Sequence, residues 1–331
     1  MTDAPRPMAA AEHRLVLPDG TIGYLHGPLT PSVPLVVLLH GFAGGLASLT
    51  APRAGVRSWR EALLAAGYST LSYPQVAPLG TLAPNVEQLL AVAAGPLSDH
   101  RPVRRLPLVL LTHSRGGLLA RSFVQAAAAR HDLHGLLARI GRVITLHAPH
   151  AGSGLAGLAL RVDAGARRLH ALVASLGLRP GVLAGLCAFS ASPAVAELAP
   201  GSRLLRSLAR RPSAAGVEWH TFGGTSADLG RMRTLLGGPA AADGPGAQPS
   251  PGRLAHTRGL GELLGLLDRL ALLTPALRDG EGDLVVADAA ARLPGAPHTS
   301  NPIDHVGALW DRGLQEQALA VLAGGRWLSA A

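Results

Sequence analysis

Leu106 to Leu111 is an apolar run that a sheet could bury on both faces. It passes without a spacer into Thr112-His113-Ser114-Arg115-Gly116-Gly117, and the stretch Gly116 to Ala129 then has helical character. This junction constrains the fold more than any other feature of the chain. A strand that turns straight into a helix leaves one residue on a tight, strained corner, with its side chain above the edge of the sheet. Serine at the corner and glycine two positions later suit that geometry, because the flanking residues pack against adjacent backbone. Gly117 lets the helix settle onto the sheet. Thr112 stands where glycine is more usual. A serine that merely caps a helix is the plainer alternative; the strand before it and the paired glycines after it favour the corner.

The rest of the chain reads as strands alternating with helices. Arg14–Leu17 and Thr21–Leu25 flank the turn Pro18-Asp19-Gly20 and predict a hairpin. Leu35–Leu39, Arg142–Leu146 and Val217–Phe222 are buried-strand candidates, Ser69–Tyr73 is a shorter one, and Leu284–Val286 is a strand or strand end. Ser58–Ala66, Asn85–Ala93 and Ile303–Ala323 have helical character. This alternation predicts one α/β domain over residues 1–331, a mostly parallel sheet with helices on both faces. Two stretches interrupt it, at about 154–211 and 226–279. Both follow strand ends and are expected to be cap or lid insertions. The first reads as helical throughout. The second holds a Pro/Gly/Ala-rich surface loop, Gly237–Gly252, and a helix, Gly259–Leu273.

Serine hydroxyl is a poor nucleophile and needs a base, which in turn needs an orienting acid. Downstream of Ser114, the segment Ile303-Asp304-His305-Val306-Gly307 sets a histidine in a loop before the last helix. Asp283, in Gly282-Asp283-Leu284-Val285-Val286, is one candidate acid. Asp228, just after the Val217–Phe222 strand, is its rival. Asp304 adjoins His305, and side chains of adjacent residues seldom orient each other. If Ser114 attacks a carbonyl, the charge on its oxygen needs fixed N–H donors. The backbone of Arg115 and that of Phe42, in the loop His40-Gly41-Phe42-Ala43-Gly44-Gly45, are the candidates. The Arg115 side chain is expected at the surface or in a salt bridge. His40, His113, His147 and His150 all fall at predicted strand ends. They form a weak metal candidate, since no carboxylate or cysteine joins them at ligand spacing. Neither a metal nor a cofactor is expected.

The stretches LVVLLHGFAGG, THSRGGLLAR, VITLHAPHAGSG, SPAVAELAPGS, GDLVVADAAARLPGA and DHVGAL together resemble a bacterial α/β-hydrolase lipase/esterase, close to the triacylglycerol-lipase and PGAP1-like deacylase group. The resemblance spreads from about Leu35 to Leu309. It implies a Ser114–His305–Asp283 triad, with Phe42 and Arg115 as the oxyanion hole. The chain departs from the group's motifs at His147-Ala148, where Gly-Thr is usual, and at Leu284, where glycine is usual.

Composition narrows the remaining possibilities. The 48% hydrophobic content supports a buried core, and no apolar run reaches the ~18 residues of a membrane span. Met1 to Glu12 does not read as a secretory leader. The single cysteine excludes an internal disulfide. Both facts lead us to expect a cytoplasmic protein. All 30 basic residues are arginine and the net charge is +9. They are scattered, and aromatics make up only 3%, so a basic surface is a better reading than a nucleic-acid site. The expected reaction is hydrolysis of a small-molecule or lipid carboxylic ester. Acyl transfer would use every one of these residues too, and a non-catalytic binding protein on the same fold is the reading from another class. The sequence does not define an oligomeric state.

Overall fold

The computed structural model describes residues 12–42, 44–53, 55–99, 103–160, 192–211, 216–228 and 274–325. Its eight-stranded sheet has the order β1-β2-β4-β3-β5-β6-β7-β8. The strands are β1 (Glu12–Val16), β2 (Ile22–His26), β3 (Leu35–Leu39), β4 (Ser69–Ser72), β5 (Leu108–His113), β6 (Ile140–Leu146), β7 (Glu218–Gly224) and β8 (His298–Asn301). The opening hairpin is antiparallel, β2 runs antiparallel to β4, and every later pairing is parallel.

The central strands are buried on both faces, as their unbroken Val/Leu runs require. Alternate residues feed two separate cores. Leu35, Val37, Leu39, Leu108 and Leu110 pack with Leu118, Leu119, Phe123 and Val124 of the helix Arg115–Ala128. Val36, Leu38, Val109 and Leu111 pack on the other face with Trp59 and Leu63 of the helix Trp59–Ala65, and with Leu314, Ala318 and Leu322 of the helix Arg312–Ala323. Each fully buried leucine contributes roughly 2 kcal/mol of transfer free energy. Ser58 starts the Trp59–Ala65 helix with a reciprocal capping box to Glu61.

Two expectations are corrected. Leu284–Val286 is not a strand. The Asp283 Oδ1 atom takes the amides of Val285 and Val286 at 3.0 and 2.7 Å and folds the segment into a turn. The next strand is instead the polar His298–Asn301, paired with β7. The last helix begins at Arg312, capped by Asp311, and residues 303–306 are loop.

Of the first insertion, residues 154–160, Pro193–Leu198 and Arg203–Arg210 are helical. Residues 161–191 and 229–273, including the Gly237–Gly252 loop and the Gly259–Leu273 helix, lie outside the described residues. No described helix is long and apolar enough to cross a membrane.

Candidate active site

The corner at Ser114 is held by its surroundings. Ser114 has φ +55° and ψ −127°, a conformation that side chains avoid unless the fold imposes it. Its N–H donates to Leu146 of β6 at 2.9 Å, and its carbonyl accepts from Gly117 N–H at 2.9 Å. A Cβ on Gly116 would lie 2.3 Å from the Leu39 carbonyl oxygen, and one on Gly117 would lie 2.4 Å from the Ala148 Cβ. The two glycines therefore let the helix Arg115–Ala128 start between the ends of β3 and β6.

The loop after β3 passes directly over the serine. A Cβ on Gly41 would lie 2.8 Å from the Ser114 Cβ. His40 shapes this loop. Its Nδ1–H donates to the Gly41 carbonyl at 3.1 Å, and its Nε2 accepts the Gln75 amide at 3.3 Å. Phe42 is half-buried and packs against the larger core. Arg115 is the first residue of its helix, so its N–H is one of the donors that a helix leaves without an internal partner.

His305 and Asp283 converge on Ser114. His305 Nε2 is 2.9 Å from the serine Oγ, and His305 Nδ1 is 2.8 Å from Asp283 Oδ2. An ionised carboxylate only accepts, so Nδ1 carries the proton and Nε2 presents its lone pair to the serine hydroxyl. The histidine backbone is fixed as well: its N–H donates to the Asp283 carbonyl at 3.0 Å, and its carbonyl accepts His113 Nε2–H at 2.9 Å. Asp304 Oδ1 accepts the amides of Val306 and Gly307. Asp228 is exposed on the loop after β7.

Asp283 is fully buried and accepts four hydrogen bonds. Two come from the amides of Val285 and Val286, one from His305, and one from His147 Nδ1, which reaches the same Oδ2 at 2.8 Å. Burial alone would raise its pKa. The charge of a protonated His305 and the hydrogen bonds from His147 and His305 outweigh burial and hold the carboxyl well below the usual carboxylate range.

His147 is the residue that sequence reasoning missed as a partner of the acid. The signal was a histidine where the resembled motif has glycine. His147 and Leu284, the two positions where the chain replaces that motif's glycine, both adopt positive φ, +53° and +83°.

The four strand-end histidines do separate work. His40 and His113 hold loops as above. His150 Nε2 meets Thr145 Oγ1 at 3.2 Å, and burial pushes its pKa down to about 3. His147, Asp283 and His305 present ligand atoms within 4.8 Å of one another. Their Nδ1 atoms already serve the carboxylate, so a metal there would displace the bonds that aim His305 at Ser114.

The Arg115 side chain takes the salt-bridge alternative, not the surface one. It is only 2% exposed. Its guanidinium donates to the carbonyls of Ala77, Pro78 and Gly80 and pairs with Glu197 at 3.4 Å. Glu197 in turn accepts the Leu82 amide at 2.7 Å. The residue after the nucleophile candidate thus ties the corner to the 77–82 loop and to the helix Pro193–Leu198.

Solved structures share this architecture. The mature lipase BlEst2 of Bacillus licheniformis matches at TM-score 0.55 and 19% identity, over 91% of this chain and 97% of that one. Its propeptide form matches at TM-score 0.56 and 20% identity, over 91% of this chain and 53% of that one. A metagenomic carboxyl esterase matches at TM-score 0.50 and 18% identity, over 90% of this chain and 77% of that one. At such identities the likeness defines the fold, and this chain has the α/β-hydrolase fold. No protein-family model and no curated protein matches the sequence.

Proposed function

We propose that the protein is a serine hydrolase of carboxylic esters, with Ser114 as nucleophile, His305 as general base and Asp283 as its orienting acid. One observation carries the reading: the unbroken relay from Ser114 Oγ to His305 Nε2 at 2.9 Å and from His305 Nδ1 to Asp283 Oδ2 at 2.8 Å.

Ser114 Oγ attacks the ester carbonyl while His305 Nε2 takes its proton. The backbone N–H groups of Phe42 and Arg115 receive the oxyanion. Collapse expels the alcohol, which takes the proton back from His305, and leaves an acyl group on Ser114. Water, deprotonated by His305, then releases the acid. Asp283 keeps the imidazole in the Nδ1–H tautomer and stabilises its charged form.

On this reading the chain is one domain over 1–331, and the insertions at 154–211 and 226–279, of which residues 161–191 and 229–273 lie outside the described residues, are the candidate cap. Their Leu/Ala-rich sequence supports an apolar acyl chain. The motif resemblance to the triacylglycerol-lipase and PGAP1-like group supports a lipid-derived ester. The lipase and esterase names of the structural neighbours agree with this chemistry.

A p-nitrophenyl ester series of increasing chain length tests the reaction class. Hydrolysis that rises with chain length before falling is expected. Failure to hydrolyse any member would overturn the reading.

A further inference from the structure

We infer that His147 is a positioning residue for the triad acid, the outermost member of a Ser114–His305–Asp283–His147 relay. This rests on the triad reading above. The argument starts with space. His147 is completely buried, just beyond β6, and its N–H is anchored to the Phe222 carbonyl at 2.8 Å. A Cβ on Gly224, at the end of β7, would lie 2.4 Å from the His147 Cε1, 2.4 Å from the Ile303 carbonyl oxygen and 2.7 Å from the Asp283 Cβ. The fold therefore accommodates this one imidazole with a left-handed histidine on one strand end and a bare glycine on the next.

Among the described residues the ring makes one side-chain hydrogen bond, and it is to the acid. Its Nδ1–H and that of His305 both donate to Oδ2 of Asp283 at 2.8 Å. His147 Nε2 has no hydrogen-bond partner among the described residues. A ring placed merely to fill space would not require a donor aimed at that oxygen. Among the described residues, the titratable and charged groups around His305 are Asp283, His147, with ring centroids 6.1 Å apart, His113 on β5, with centroids 4.9 Å apart, and the neighbouring Asp304.

The consequence is electrostatic as well as geometric. Two N–H donors on one carboxylate oxygen divide its negative charge. Without His147, more of that charge faces His305 and favours its protonated form, which cannot act as a base. Without His147 the carboxylate also loses one of the four bonds that fix its orientation.

The pH dependence of fluorophosphonate labelling of Ser114 tests this without knowledge of the natural substrate. His147→Gly suits the positive φ and removes the donor. His147→Asn tolerates the same backbone and sets an amide N–H near the Nδ1 position. We expect His147→Gly to slow labelling at the plateau roughly 3- to 10-fold, the rate equivalent of one hydrogen bond. We also expect the midpoint of its acid limb to move to higher pH. His147→Asn should restore both toward wild type. Circular dichroism confirms folding; should His147→Gly not fold, His147→Ala carries the same comparison. A donor-free variant whose curve overlays the wild type, or equal loss in the donor-free and asparagine variants, would overturn the proposal. An unlabelled wild type would instead overturn the triad reading, and this inference with it.

Discussion

His305 turns its Nδ1 to Asp283 at 2.8 Å, and that carboxylate is buried while its rival Asp228 is exposed. On the proposed mechanism, Asp283→Asn keeps the shape of the site but favours the wrong tautomer of His305. It should lower kcat by about 10⁴ with the fold intact by circular dichroism. Asp228→Asn should leave kcat near normal. The reverse pattern would assign the acid to Asp228.

The buried guanidinium of Arg115 predicts a stability effect separate from catalysis. Arg115→Met keeps the backbone N–H but strips donors from three carbonyls and leaves Glu197 without its cation. Urea unfolding should show a loss of about 3 kcal/mol or more. A loss under about 0.5 kcal/mol would mean that the clamp contributes nothing.

Buried histidines make stability fall with acid. Burial holds His113 well below its ordinary value, with the charge of His305 adding to it; burial also lowers His40 and takes His150 to about 3. These groups take up protons near pH 6.5 in the unfolded chain but not in the folded one. Their contribution is therefore full above about pH 6.5 and is lost as pH falls toward the folded values. His150 alone should remove about 2 kcal/mol between pH 6.5 and 5. Urea midpoints should drop across that range in the wild type and drop less in His150→Gln. A flat wild-type profile would contradict the burial argument.

Gly224→Ala should be worse for activity than loss of the His147 ring. Its new methyl would strike the His147 ring, the Ile303 carbonyl and Asp283 together, and so displace the acid itself. Labelling of Ser114 should slow at least 10-fold beyond His147→Gly. Near-normal labelling would show that the acid loop has slack that the packing denies.

How much of this was legible in the sequence depended on which force fixed each part. The corner at Ser114 was legible because burial and backbone sterics both act through local sequence: an apolar strand, a serine, two glycines. The order Ser114, Asp283, His305 followed from the motifs. β8 was missed because His298–Asn301 is a polar edge strand, defined by pairing with β7 rather than by its own hydrophobicity. Leu284–Val286 misled for the opposite reason: its β-rich composition was overridden by the Asp283 side chain, which captures two of its amides. The bond between His147 and Asp283 joins residues 136 apart, and no local pattern encodes it.

The central claim is that Ser114 is the nucleophile. Its most direct test is fluorophosphonate labelling followed by peptide mass spectrometry of wild type and Ser114→Ala. The account predicts one label per wild-type chain, on the peptide containing Ser114, and none on Ser114→Ala. Stoichiometric labelling of Ser114→Ala, or a wild-type label on another residue, would contradict it.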